Sequence, residues 1–254
     1  MSQGAWQEQQ LASNPHELGD KAARVQAMFA AIARSYDFNN RVHSFGLDQR
    51  WRRATVCFAG LTAEDDVVDV ACGTGDLAEA FLAAGARSVT GIDFTPEMLA
   101  VAKEKAARAH RNSSARVRYS EGDATALTLP DACADIVSIA FGIRNVGNTP
   151  QALREFHRIL RPRGRLLILE FSQPSNPLIR AANRFYTHRI MPQTATFFSG
   201  DKSGAYRYLP RSVETYLDPD ALARGVREAG FTEIAQKSLT FGTCAITRAI
   251  KLCS

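Results

Sequence analysis

The sequence predicts an α/β fold built on a doubly wound, mostly parallel sheet. Five short apolar runs between residues 65 and 171 are interspersed with helix-forming segments, which is typical of parallel strands joined by helices. Two more strand-like segments follow a helix near the C-terminus, giving seven strands. We expect one domain over residues 1–254, with an N-terminal helical cap (about 16–60), a core (about 61–171 and 218–254) and a lid insertion (about 172–217).

The predicted cap contains two helices. Between residues 16 and 33, apolar side chains recur every third or fourth position, a helical spacing: Leu18, Ala22, Val25, Phe29 and Ile32. A second helix is expected over about 47–59. The first fifteen residues are polar, and we expect them to be frayed.

The elements of the core follow from short apolar runs that end at turns and from periodic segments between them. The predicted strands are residues 65–72, 88–93, 116–123, 134–142, 164–171, 231–238 and 242–251. The predicted helices are residues 76–85, 95–109, 149–160 and 218–230. The second and third of these helices begin with Thr-Pro, which predicts Thr95 and Thr149 at their N-termini.

The composition excludes several classes of protein. Hydrophobic residues make up 45% and charged residues 22%, an ordinary globular balance. The longest apolar runs are far shorter than the roughly 20 residues of a membrane span, and the N-terminus lacks the pattern of a secretory signal. The five cysteines and five histidines show no metal-binding or redox spacing, so no metal is expected. We expect a cytoplasmic protein with reduced thiols.

The net charge of +5 allows a nucleic acid or an anionic membrane as partner, or neither. The sequence has no run of five or six like charges and no basic strand face interleaved with aromatic residues. No nucleic-acid partner is therefore expected.

A glycine loop at residues 69–76, DVACGTGD, follows the first predicted strand, where open parallel sheets bind ligands. Gly73 and Gly75 allow the backbone to approach a ligand. The spacing Gly-x-Gly-x-x-Ala also fits a dinucleotide, but Asp76 would then stand beside the pyrophosphate. S-adenosylmethionine (SAM) carries no phosphate and has a cationic sulfonium and ammonium. The acidic loop therefore favours SAM.

Acidic residues also end the second and third predicted strands. Asp93 lies 18 residues beyond Gly75, near the spacing of a ribose-binding acid, although it can instead cap the next helix. Asp123 can accept a hydrogen bond from the adenine amine, with the N–H of Ala124 on a ring nitrogen; alternatively it is an ordinary turn residue. Three acidic strand ends at one edge predict a SAM site there.

Several segments resemble class I SAM-dependent methyltransferases, and more narrowly the C-methyltransferases of ubiquinone and menaquinone biosynthesis. They are DVACGTGDLA, GIDFTPEMLAVAKEK, EGDATALTLPD, YRYLPRSV and, as the narrowest, FGIRNV (141–146) and YDFNNRVHSFGLDQRWRR. The resemblance covers residues 28–250 and implies a Rossmann-like, seven-stranded sheet whose last strand is antiparallel. It implies SAM contacts at Thr74, Asp93, Asp123, Ala124 and Ala140. At the position of Ala140 the family often has Ser.

The resemblance also implies methyl transfer to a ring carbon of a polyprenyl quinol. Such a carbon needs a neighbouring phenolate, so the site needs a base or a cation that lowers the phenol pKa. Arg144 is expected to stabilise the phenolate or to orient a water that takes the proton, or alternatively to form a surface salt bridge. Asn145 is expected to hold a quinol oxygen. Tyr36 is expected in the roof of the site, with Asp37 and His43 as candidate bases.

The lid insertion is rich in aromatic residues, and it contains six basic residues against two acidic ones. The aromatic residues expected to line a tunnel are Phe185, Tyr186, Phe197, Phe198, Tyr206 and Tyr208; the charged ones are Arg180, Arg184, Arg189, Lys202, Arg207, Arg211, Asp201 and Glu214. We expect the lid to wall an isoprenoid tunnel and to contact anionic lipid peripherally, or alternatively to form a homodimer interface. No amphipathic helix is evident in it.

Four functions remain open from sequence. The first is the quinol C-methyltransferase, with the choice between the menaquinone and ubiquinone pathways undecided. The others are a methyltransferase of another lipid or a small phenol, an NAD-dependent oxidoreductase, and a nucleic-acid-binding protein that retains a SAM fold.

Overall fold

The computed structural model describes residues 5–6, 11, 14–109, 117–199 and 203–252, the last three residues of 117–199 by backbone alone. The helices are α1 Lys21–Ile32, α2 Tyr36–His43, α3 Leu47–Ala59, α4 Asp76–Ala83, α5 Pro96–Ala109, α6 Thr149–Ile159, α7 Pro177–Phe185, α8 Met191–Ser199, α9 Ala205–Thr215 and α10 Pro219–Glu228. The strands are β1 Asp66–Val70, β2 Ser88–Asp93, β3 Val117–Glu121, β4 Ala134–Ala140, β5 Leu160–Phe171, β6 Phe231–Leu239 and β7 Cys244–Lys251.

The seven strands form one sheet in the order β3-β2-β1-β4-β5-β7-β6. β7 runs antiparallel to both β5 and β6, and the pairs among β1 to β5 are parallel. The predicted doubly wound, mostly parallel α/β fold is confirmed. The strand order reverses between β1 and β4, and ligands bind beyond the carboxyl ends of the strands at such a point.

Apolar side chains cover both faces of the sheet. On one face, Leu153 and Phe156 of α6 pack with Val226 of α10; on the other, Phe81 of α4 packs with Trp51 of α3. A third apolar cluster joins α1 to the lid helices α8 and α9. The cap and the lid therefore close together over the carboxyl edge of the sheet.

The lid is more helical than the sequence indicated. It consists of α7, a π-helical turn over Tyr186–Ile190, α8 and α9. The expectation of no amphipathic helix is wrong for α7, where Leu178 and Phe185 lie seven residues apart on one exposed face. The six residues between them mix Ile179 and two alanines with polar side chains, so the sequence periodicity is weak. Lys202 and Asp201 lie outside the described residues, and so do the side chains of Phe197 and Phe198.

Three further differences concern the predicted elements. Helix α2 was not predicted, because its sequence YDFNNRVH has no apolar repeat. Asn148 rather than Thr149 caps α6, its side chain accepting from the N–H of Gln151. Within the predicted frayed N-terminus, Trp6 is buried and stacks on Tyr208 at a centroid distance of 4.3 Å. Residue 116 of the third predicted strand lies outside the described residues.

In the part of the chain that the structure describes, every helix is too short or too polar to span a bilayer.

Candidate active site

Two cavities adjoin at the carboxyl edge of the sheet. The smaller has a volume of about 250 Å³ and lies beyond β1, β2 and β4. The larger has a volume of about 590 Å³ and lies between the cap and the lid. Phe29, Tyr36 and Phe141 line both cavities. A group held in one cavity can therefore meet a group held in the other beside these three rings.

The smaller cavity has an acidic lining. Asp93 and Asp123 line it, together with Gly73, Ala124 and Ala140, five of the predicted cofactor residues. Among its lining residues that the structure describes, none is Lys, Arg or His. This lining suits the cationic sulfonium and ammonium of SAM and offers a pyrophosphate no cation.

Asp93 links the glycine loop to the start of α5. Its Oδ2 accepts from the N–H of Gly73 at 2.7 Å, and its Oδ1 accepts from the N–H of Thr95 at 2.8 Å. Burial raises the pKa of this carboxyl, while the backbone N–H donors oppose the shift. The Thr95 side chain and the Phe94 N–H also bond to this carboxylate, which lines the smaller cavity where a ribose diol would meet it.

Replacing Asp93 by alanine is expected to weaken SAM binding by about 1–3 kcal/mol, because the hydrogen bonds from the two ribose hydroxyls to the Asp93 carboxylate are lost. Calorimetric titration with SAM measures the change, and thermal melting checks that the loop remains folded. Asp131→Ala is the matched control because Asp131 is an exposed acid paired with Arg158. Unchanged SAM affinity in Asp93→Ala removes this residue from the site.

Two other predicted cofactor residues, Thr74 and Gly75, do not line the smaller cavity. Gly75 has φ +85°, and a Cβ there would lie 2.4 Å from the Tyr119 hydroxyl, so packing requires this glycine. The Thr74 hydroxyl donates to Oδ1 of Asp37 at 2.5 Å. Direct SAM contacts by Thr74 and Gly75 stay predictions, and the side chain of Thr74 instead ties the loop to α2.

Asp76 is neutralised within the fold. Its carboxylate accepts from Lys105 at 2.6 Å, from Arg41 at 3.0 Å and from Gln49 at 3.1 Å. Because its charge is already paired, Asp76 does not oppose a pyrophosphate as the sequence suggested. The acidic residues that favour SAM are therefore Asp93 and Asp123, which line the smaller cavity.

Arg144 lines the larger cavity and is buried. Its Nη1 donates to the carbonyl of Phe141 and to Oε1 of Glu170, both at 2.7 Å. Its guanidinium carbon lies 5.4 Å from the centre of the Phe171 ring. The alternative of a surface salt bridge is wrong. A fixed cation in an apolar wall can stabilise an anion that forms in this cavity.

The other two predicted catalytic residues have different positions. Tyr36 stands at the junction of the two cavities, and burial raises its pKa. Asn145 lines the smaller cavity. Its Nδ2 donates to the Phe141 carbonyl, and its Oδ1 accepts from the Tyr208 hydroxyl at 2.9 Å. Asn145 lines the cavity assigned to the cofactor, so its position does not support the expected contact with a quinol oxygen.

The two candidate bases also differ in position. Asp37 accepts from Thr74 and from Lys105, and it lines neither cavity. His43 lines the larger cavity, with its Nδ1 3.3 Å from the Tyr186 hydroxyl. Its Nε2 is buried and has no partner among the described residues. Burial lowers the pKa of His43, which favours the neutral imidazole that a base requires.

Two site residues were missed by the sequence analysis. Glu170 is the buried partner of Arg144, and its signal was an acid inside the apolar run LLILEF, since a charge in a buried strand needs a partner. Lys21 donates to the backbone carbonyls of Arg144 and Val146. Nothing in the local sequence distinguishes this lysine from a surface residue.

Solved structures with similar folds have low sequence identity to the chain. The [4+2]-cyclase SpnF has a TM-score of 0.68 and 18% identity, covering 92% of this chain and 97% of its own. Phosphoethanolamine N-methyltransferase 2 of Haemonchus contortus has a TM-score of 0.65 and 17% identity, covering 92% and 60%. The fold and the acidic cavity together fit a class I SAM-dependent methyltransferase.

The chain belongs to the ubiE/COQ5 methyltransferase family, which it matches over residues 17–251. It is 43% identical over 224 residues to a demethylmenaquinone methyltransferase of Deinococcus radiodurans, covering 88% of this chain and 90% of the relative. It is 45% identical over 221 residues to that of Thermus thermophilus, covering 86% and 97%. A ubiquinone/menaquinone biosynthesis C-methyltransferase of Roseobacter denitrificans is 37% identical, covering 92% and 93%. The cofactor is S-adenosylmethionine.

Proposed function

We propose that this protein transfers the methyl group of SAM to a ring carbon of a polyprenyl quinol, with demethylmenaquinol as the acceptor and the ubiquinone precursor as the alternative. The observation that carries the proposal is the junction of an acidic cavity with a larger, aromatic cavity that contains a fixed guanidinium. The names of the relatives support the same acceptor class.

The chemistry divides between the two cavities. SAM, when bound, supplies an electrophilic methyl group. In the larger cavity, Arg144 stabilises the phenolate that makes the neighbouring ring carbon nucleophilic; its own pKa is too high for it to take the proton. His43 is the better placed acceptor of the phenol proton, since Asp37 is committed to Thr74 and Lys105. The methylated ring carbon then gives its hydrogen, as a proton, to the former phenolate oxygen, and His43 releases the phenol proton to solvent. Tyr36 and Phe141 bound the junction and hold the two reacting groups in contact.

Label transfer tests this function. The purified protein is incubated with methyl-labelled SAM and with each quinol in detergent, and the lipid is extracted. Label in the extracted quinone establishes the reaction and selects the head group. SAM binding with no label in either quinol overturns the acceptor and favours another lipid or a small phenol. A salt-sensitive shift of RNA would instead support the nucleic-acid alternative.

We propose further that the lid docks on an anionic lipid surface. Helix α7 has no buried residue, and its Leu178 and Phe185 are 81% and 63% exposed. Arg184 and Arg189 are exposed beside them. Phe45, also exposed, lies 5.8 Å from the Tyr186 ring and lines the larger cavity. An apolar face flanked by arginines suits the interface of an anionic bilayer, and it would place the cavity mouth where a polyprenyl tail enters.

The double variant Leu178→Ser/Phe185→Ser is expected to lower binding to phosphatidylglycerol vesicles at least fivefold, since it removes both exposed apolar anchors. Vesicle flotation measures the change, with phosphatidylcholine vesicles for comparison. Leu252→Ser is the matched control because Leu252 is exposed just beyond the end of β7, at the opposite edge of the sheet. Wild-type binding by the double variant contradicts lipid docking, and a dimer that dissociates in this variant assigns the face to a second copy.

A further inference from the structure

The ammonium group of Lys21 is buried against backbone carbonyl oxygens. Lys21 is the first residue of α1 and is only 5% exposed. Its Nζ donates to the carbonyl oxygens of Arg144 at 2.8 Å and Val146 at 2.9 Å. Within the described ranges, no carboxylate pairs with it. Burying a charge without a counter-charge is costly, so a lysine at this position requires a compensating role.

The two carbonyls belong to the turn that carries Arg144. Residues Ile143–Asn145 form a single 3₁₀ turn, and Val146 follows it in extended conformation. The side chain of Arg144 is held by Glu170 and by the Phe141 carbonyl. Lys21 holds the backbone of the same residue from the cap side. Arg144 is thus held at two points: its guanidinium by Glu170 and the Phe141 carbonyl, and its backbone carbonyl by Lys21.

Lys21 also joins this turn to the roof of the site. The following turns of α1 contribute Val25 and Phe29 to the smaller cavity, and Phe29 and Ile32 to the larger one. The only direct hydrogen bonds described between α1 and the Arg144 turn come from Lys21. A shift of α1 relative to the sheet is therefore passed to the backbone of Arg144.

The charge of Lys21 agrees with this role. Burial lowers its pKa to about 8, with repulsion from Arg144 as the smaller cause. The group therefore remains mainly an ammonium near pH 7, and its bonds to the two carbonyls are charge-assisted.

We propose that Lys21 is a positioning residue for the reaction: it sets the backbone of Arg144 so that the guanidinium faces the acceptor, and it couples that geometry to closure of the cap. The inference rests on the proposed function, because it gives Arg144 its role toward the acceptor. Lys21 lines neither cavity, so it acts through Arg144 and touches no substrate.

Lys21→Met keeps the length of the side chain and removes its donors. Its kcat for label transfer is expected to fall about 10–100-fold, since small displacements of a catalytic group cost that much, while the quinol KM changes less than threefold. Lys251→Met is the matched control. The Nζ of Lys251 also donates to two carbonyls, those of His157 and Leu160, both at 2.8 Å, but at the opposite edge of the sheet. Its kcat is expected to equal that of the wild type.

A second measurement needs no activity. The ¹⁵N resonance of the Arg144 Nε, assigned with Arg144→Lys, is expected to move in Lys21→Met and to stay in place in Lys251→Met. Equal melting losses in the two variants, with kcat and the Arg144 resonance unchanged, would make Lys21 merely structural and overturn the proposal. If the wild type transfers no label, the acceptor assignment fails, and the resonance alone decides whether Lys21 positions Arg144.

Discussion

Replacing Arg144 by methionine is expected to lower the turnover of quinol methylation about 10²–10³-fold, the usual cost of removing one preorganised electrostatic group from an enclosed site. The affinity for SAM is expected to stay within about threefold, because Arg144 lines the larger cavity and not the smaller one. Single-turnover label transfer and calorimetric titration separate the two effects. Arg144→Lys, which keeps a charge but loses the planar fork, is expected to fall between methionine and wild type.

The matched control is Arg165→Met. Arg165 also makes a shielded ion pair, with Asp65 at 2.5 Å, but at the amino edge of the sheet. It is expected to lose stability while keeping its turnover. A parallel loss of SAM affinity and turnover in Arg144→Met would place this arginine on the cofactor and would contradict the assignment of the larger cavity to the acceptor.

Replacing Glu170 by leucine is expected to lower the free energy of unfolding by about 3–5 kcal/mol, because the Arg144 guanidinium then lies buried without a counter-charge. Both side chains of this pair are only 5% exposed. Urea denaturation measures the loss. Glu64→Leu is the control, since Glu64 is a largely exposed partner of Arg87 at 3.9 Å, and its loss is expected to cost less than about 1 kcal/mol.

The double variant Arg144→Met/Glu170→Leu separates stability from catalysis. Removing both charges also removes the burial penalty, so the double variant is expected to be more stable than Glu170→Leu alone. Its turnover is expected to match that of Arg144→Met. A double variant that regains turnover would show that the pair serves only the fold.

The fold was largely predictable because each core strand has its own apolar run and turn. The spacing from Gly75 to Asp93 also identified the cofactor edge, since the strands that carry these loops are neighbours in the sheet. Helix α2 could not be predicted, because its residues are fixed by contacts outside the helix. Asp37 bonds to Thr74, and Arg41 bonds to Asp76.

The candidate site likewise contains residues that the sequence could predict and residues that it could not. Residues at strand ends, such as Asp123, were found because topology brings strand ends together. The partners of Arg144 are Glu170 on β5 and Lys21 on α1, and they lie 26 and 123 positions away in sequence. A local sequence pattern cannot identify contacts between residues so far apart in the chain. The acid within a buried strand, Glu170, was the one hint in the sequence.

The two cavities share three rings, but different residues line them elsewhere: Gln26, Thr125 and Asn148 belong to the smaller, and Phe45 and Arg180 to the larger. Under the proposed function, donor and acceptor occupy separate compartments that meet at the shared rings. A spent donor could then be exchanged while the prenyl tail stays in the larger compartment. Together with the proposed lipid docking, this arrangement would allow one molecule to methylate successive quinols without leaving the surface.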